Sequence, residues 1–148
     1  MAAKILVLNG PVLNMLGVRQ PEIYGRQTLA QVEAACRKRA RQLGLGLDFR
    51  QSHSESELVD WIVKARRKYS CLILNAAAYT HTSVAILDAL LACEVPTIEV
   101  HISQILRRER FRQRSYVAEA AVGLISGFGT YGYELAIEAA ARLAARAS

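Results

Sequence analysis

The sequence predicts an α/β fold, a doubly wound parallel sheet in a single domain. Three observations carry this. Short apolar runs rich in branched residues alternate with longer segments whose apolar residues recur every three or four positions. The runs are apolar almost throughout, as strands buried on both faces are. The chain has 148 residues, enough for one domain that buries roughly two-thirds of its unfolded surface.

The elements follow in order. Lys4–Asn9 reads as a buried strand, stopped by Gly10-Pro11. Residues 10–27 have no regular period and hold Gly10, Pro11, Gly17, Pro21 and Gly25. Such a long loop in a small domain points to function. Residues 28–43 read as a helix, with Thr28 and Gln31 as a capping box, Leu29, Val32, Cys36, Ala40 and Leu43 on one face, and Gly44 as the stop. A second strand spans 47–51. Ser54 and Glu57 make another capping box, opening a helix expected to run through Tyr69. Strands at 72–75, within 96–101 and at 122–126, with helices at 82–93 and 131–147, complete the pattern. Right-handed crossovers between five strands in this rhythm predict a flavodoxin-like sheet across residues 1–148.

Composition narrows the function classes. The hydrophobic share is 52% and the charged share 22%, ordinary for a globular domain. No apolar run approaches the roughly 18 residues of a membrane span, and Ile5–Leu8 is too short for the core of a signal peptide, so a cytoplasmic protein is expected. Cys36, Cys71 and Cys93 lack metal-ligand spacing and read as buried free thiols, with a redox or metal role as the alternative. The formal charge is +6. Basic residues at 37–41 and 64–68 fall near predicted helix ends, where they favour the helix dipole. Nucleic-acid binding is weakly supported, because no aromatic platform or reader motif accompanies the cations. Flavin binding is weak too, since the first loop lacks a Ser/Thr-rich phosphate cradle.

Open parallel sheets bind ligands beyond the carboxyl ends of their strands. Reactive side chains gather there: Asn9 with Arg19 and Tyr24 after it, Asn75 followed by His81, and Glu99, His101 and Ser103 before an arginine-rich segment. A phenol is almost wholly protonated at neutral pH. A guanidinium ~4 Å away, at an effective dielectric of ~20, stabilises its anion by about 4 kcal/mol. Arg19 could therefore make Tyr24 a base, unless Tyr24 simply packs and Arg19 is solvated. Glu99 and His101 are two apart and share a strand face, so the carboxylate favours an imidazolium able to act as an acid; a hydrogen-bonded structural histidine is the alternative. Backbone N–H groups at Ile102 and Ser103 suit a carboxylate, and Arg112 an anion or polyol.

The stretch Asn9-Gly10-Pro11-Val12-Leu13-Asn14-Met15-Leu16-Gly17 with Arg19, Pro21 and Tyr24-Gly25 resembles the signature loop of the type II dehydroquinases. So do Asn75 with Thr80-His81-Thr82-Ser83 and Asp88, Ile98–Ser103 with Arg108-Glu109 and Phe111-Arg112, and Gly132-Tyr133. The resemblance implies dehydration of 3-dehydroquinate to 3-dehydroshikimate by anti elimination through an enolate, in the shikimate pathway or quinate catabolism. It implies no metal and no cofactor, no nucleic-acid or membrane partner, and a homo-oligomer, a dodecamer of trimers. Carried over, Tyr24 is the base, Arg19 the lid residue that activates it, and His101 the acid oriented by Glu99. Asn75, His81, Ile102, Ser103 and Arg112 contact substrate, and Asp88 reaches a neighbouring subunit's site.

This chain departs from the family pattern at several positions. Val12 stands for a usual Asn, Gln20 for Glu, Ala77 for Gly, Leu87 for Arg, Gln104 and Leu106 for Asn and His, and Gln113 and Arg114 for a His pair. A valine cannot donate the hydrogen bond thought to help stabilise the enolate, which suggests as an alternative a ligand-binding or regulatory paralogue with little turnover; an enzyme for a related cyclic hydroxy-acid is a further alternative.

Overall fold

The computed structural model describes residues 2–147. Five strands form one sheet: β1 (Lys4–Asn9), β2 (Gly46–Gln51), β3 (Cys71–Asn75), β4 (Thr97–His101) and β5 (Gly123–Ser126). Their order is β2-β1-β3-β4-β5 and every pairing is parallel. This is the flavodoxin-like doubly wound arrangement that the alternating pattern predicts.

The period of two in each strand sorts the core into two layers. Ile5 and Val7 of β1, Cys71 and Ile73 of β3 and Val100 of β4 pack beneath α2 (Leu29–Gln42) and α5 (Tyr131–Ala147), against Val32, Cys36, Tyr133 and Ile137. Leu6, Leu8, Leu72 and Leu74 point the other way, under α3 (Glu55–Lys64) and α4 (Val84–Cys93), against Leu58, Ile62, Ile86 and Leu90. Cys36, Cys71 and Cys93 are all buried free thiols. Burial pushes the thiols of Cys36 and Cys71 up to about 12, so they stay protonated.

The first capping box forms in full: Thr28 Oγ1 accepts the Gln31 amide at 3.2 Å and Gln31 Oε1 accepts the Thr28 amide at 2.9 Å. The second forms by half. Ser54 Oγ accepts the Glu57 amide at 3.2 Å, but the Ser54 amide donates to Ser52 Oγ at 2.9 Å and leaves Glu57 nothing to accept there. The third helix ends at Lys64, not Tyr69. The chain turns through a left-handed Arg67 (φ 64°), which lets the Ser70 amide bond to Lys4 O at 2.9 Å and start β3 in register. The loop at 10–27 is less irregular than its composition suggests. It contains a 3-10 turn at Leu13–Met15 and one helical turn, α1 (Pro21–Tyr24), whose first position is the proline that favours helix starts.

The topology locates the site. Strand order reverses between β1 and β3, whose last residues, Asn9 and Asn75, are register partners. The two strand ends are pinned together. Gly10 donates its amide to Asn75 O at 2.8 Å, and a Cβ at Gly10 would lie 2.4 Å from Ala76 O, so only glycine fits.

Candidate active site

Two buried amides form the floor of the switch point. The hydroxyl of Tyr133, at the start of α5, donates to Asn9 Oδ1 at 2.7 Å and accepts from Asn75 Nδ2 at 2.9 Å. Asn75 Oδ1 accepts the Ala77 amide at 3.1 Å. Burial pushes the Tyr133 phenol well above its ordinary range, so it holds its proton as a fixed donor. Asn75 keeps one N–H to offer above it.

Over this floor a single cleft is lined by Val12, Arg19, Tyr24, Asn75, Ala77, His81, His101, Ile102, Ser103, Arg108 and Arg112, among others. Eight of the ten residues singled out from sequence thus converge. Glu99 is the ninth: it lies fully buried behind His101, whose Nε2 is 2.5 Å from Glu99 Oε2. Ser115 Oγ also donates to that oxygen, at 2.6 Å. The tenth, Asp88, is exposed on α4 and lines no part of the cleft.

His81 stands beside His101, with ring centroids 6.5 Å apart and planes inclined by 21°. Its Nδ1 is 2.7 Å from Arg114 O, an acceptor only, so Nδ1 carries a proton. Burial holds the ring below the usual histidine range, against the raising effect of that hydrogen bond. A neutral His81 therefore keeps Nε2 as an acceptor for a ligand hydroxyl.

Tyr24 is gripped by two guanidinium groups. Arg19 lies over its ring, 4.8 Å from the centroid. The hydroxyl itself is reached by Arg108, whose Nη1 donates to it at 2.7 Å and to Ser103 Oγ at 3.3 Å. Sequence reasoning gave no site role to Arg108, Ser115 or Tyr133. Arg108 sat unnoticed within the arginine cluster, and only its place beside Glu109 in the family motif marked it. Arg112 is oriented from the outside, its Nε donating to Glu109 at 2.8 Å, which holds the Glu109 carboxyl below its ordinary range.

The cleft thus holds both a phenol beside two guanidinium groups and a carboxylate-backed imidazole. Asn75, His81, Ser103 and Arg112 line the same cleft and offer donors and acceptors suited to a polar, hydroxylated anion. Among the described residues, no group of three or more His, Cys, Asp or Glu side chains is placed to hold a metal ion.

Comparison with known proteins places these features in context. The family described as Dehydroquinase class II matches residues 3–141. The 3-dehydroquinate dehydratase of Methylobacterium radiotolerans is 59% identical over 141 residues, covering 95% of each chain. The 3-dehydroquinate dehydratase 2 of Pseudomonas aeruginosa is 50% identical over 93% of each. The crystal structure of type II dehydroquinase from Propionibacterium acnes superposes with a TM-score of 0.92 at 44% identity, covering 96% of this chain and 98% of that one.

Proposed function

The chain belongs to the class II dehydroquinase family, and from that premise we propose that Tyr24 and His101 act as base and acid on two sides of one bound substrate. The reaction is the dehydration of 3-dehydroquinate to 3-dehydroshikimate, a hydro-lyase step of the shikimate pathway.

Tyr24, as phenolate, takes the proton from the carbon beside the substrate carbonyl, and the electron pair left behind forms the enolate. The enolate then expels the β-hydroxyl as the carbonyl and the new double bond form. His101 protonates the departing oxygen, so it leaves as water, on the face opposite the proton removed. Arg19 and Arg108 stabilise the phenolate, Glu99 holds the imidazole, and Asn75, His81, Ile102, Ser103 and Arg112 position the ring and its carboxylate. One observation supports this assignment above others: the two-guanidinium cradle of Tyr24 and the Glu99–His101 pair open into the same cleft.

The proposal extends to assembly and location. Asp88 projects from α4 into a neighbouring subunit's cleft within a dodecamer of trimers, where exposed Leu106, Phe111, Val122 and Phe128 supply apolar contact area. The protein acts in the cytoplasm; none of the described helices is long and apolar enough to cross a membrane.

Incubating the purified protein with 3-dehydroquinate tests the reading. Growth of the conjugated enone absorbance is expected, and a protein that binds 3-dehydroquinate without forming the enone would overturn it.

A further inference from the structure

We propose that Ser115 is a positioning residue for the acid, and that the segment Arg114–Ser115–Tyr116 is a strap that sets both active-site imidazoles at once. The proposal rests on the reading of His101 as the acid.

Each residue of the strap makes one bond to the catalytic side. Arg114 O fixes His81 Nδ1 at 2.7 Å, Ser115 Oγ donates to Glu99 Oε2 at 2.6 Å, and the Tyr116 amide donates to Thr80 O at 2.9 Å. The polarity of the Ser115 hydroxyl is settled by its other partner. Ser115 Oγ accepts the Ala118 amide at 3.0 Å, so its single hydrogen is directed at Glu99. Glu99 Oε2 thus accepts from Ser115 while facing His101 Nε2 at 2.5 Å, and Glu99 Oε1 is buried with no partner among the described residues. All the support the carboxyl group has comes through one oxygen, shared between the imidazole and Ser115.

This arrangement has a chemical consequence. A hydroxyl that donates to a carboxylate stabilises its anion and weakens its hold on a proton. Ser115 therefore keeps the shared proton on Nε2 of the imidazole, so that the ring is a cation and the proton on its other nitrogen, Nδ1, is the one a departing hydroxyl takes. Without Ser115 the carboxylate becomes more basic, and the pair keeps its proton to higher pH and yields it less readily. The other titratable groups near the pair are His81 on the 77–81 turn, which feels the charges of Glu99 and His101, and Arg112 on the 110–112 turn.

The test is Ser115→Ala in the full-length enzyme. kcat is expected to fall about tenfold with KM little changed, and the alkaline limb of the kcat profile to move up by about one pH unit. Ser115→Thr, which keeps the hydroxyl, is expected to restore both. In a Glu99→Gln background the Ser115→Ala change should cost almost nothing further. The titration of the His101 ring followed by NMR in the unliganded protein reads the same upward shift without turnover, so it holds even if 3-dehydroquinate proves the wrong substrate. Should Ser115→Ala fail to fold, Ser115→Cys, a weaker donor of similar size, is expected to shift the His101 titration in the same direction. A lowered Tm with unmoved kcat, pH limb and His101 titration would show that Ser115 only caps the Ala118 turn, and would overturn the proposal.

Discussion

Arg108 places Nη1 2.7 Å from the phenolic oxygen of Tyr24, although the two residues lie 84 positions apart. Arg19, the nearer in sequence, instead lies over the ring face. The two cations approach one phenol from different directions, and among the described residues only Arg108 donates to the oxygen that would carry the charge in the proposed phenolate. Replacing it by Gln should lower kcat by on the order of 10²–10³, the usual cost of losing one donor to a developing anion. Steady-state rates from the enone absorbance check this. A rate within a few-fold of the parent enzyme would assign the phenolate's stabilisation to Arg19 alone.

Tyr24→Phe tests the base directly. The phenyl ring still fills the space between Arg19 and Arg108, so ligand binding should persist while turnover falls by at least about 10²-fold, the lower range for a general base. Calorimetry with the reaction product measures the first, and single-turnover rates the second. Near-normal rates would remove Tyr24 from the mechanism.

His81 is a pH-sensitive part of the fold. Burial, its main influence, depresses its proton affinity below that of an ordinary histidine. The unfolded chain therefore binds the proton at higher pH than the folded one, and stability falls as pH drops through about 6.5 towards the lower folded value. His81→Asn keeps a donor for Arg114 O without a titrating ring. Its Tm should change less between pH 7 and pH 5 than that of the parent. Identical slopes would mean that His81 takes up its proton equally in both states.

Asp88 is exposed on α4 and outside its own subunit's cleft, so an effect on catalysis requires a neighbour. Asp88→Asn should lower kcat without lowering Tm. Assembling Asp88→Asn with Tyr24→Phe subunits should restore activity above either alone, because some clefts then receive an intact Tyr24 and an intact Asp88. Failure of the mixed assembly to gain activity would place Asp88 outside the site.

Much of this architecture was legible in the residue pattern, for definable reasons. Continuous apolar runs and a period of three to four both report burial, so the strands and the face of α2 could be read from segments such as Ile5–Leu8 and from Leu29, Val32 and Cys36. The rule that parallel sheets bind ligands beyond the carboxyl ends of their strands then put Asn75, His81 and His101 at one edge. Two kinds of feature were not legible. Arg108 and Ser115 take their meaning from partners far along the chain, at Tyr24 and Glu99, which no local pattern encodes. Backbone conformation was also hidden. Val12, Gln20 and Ala77, three positions where this chain departs from the family pattern, all have positive φ, at 69°, 38° and 52°.

Val12 joins these strands of argument. Its φ of 69° and ψ of −2° are left-handed, a region that a β-branched residue enters only under strain of about 1–3 kcal/mol. Its amide donates to His53 Nδ1 at 3.1 Å, which helps hold the turn, and its 40%-exposed side chain lines the cleft without a donor. Asparagine tolerates this conformation and supplies an N–H. Val12→Asn should therefore raise both Tm and kcat. Val12→Gly separates the two effects: it relieves the strain and adds no donor, so Tm should rise while kcat stays near that of the parent. Thermal melts and enone-forming rates on the three proteins decide the matter. Equal rates for the Asn and Gly variants would show that an amide at position 12 gives the enolate nothing, and that the turn is held by Val12 for its backbone alone.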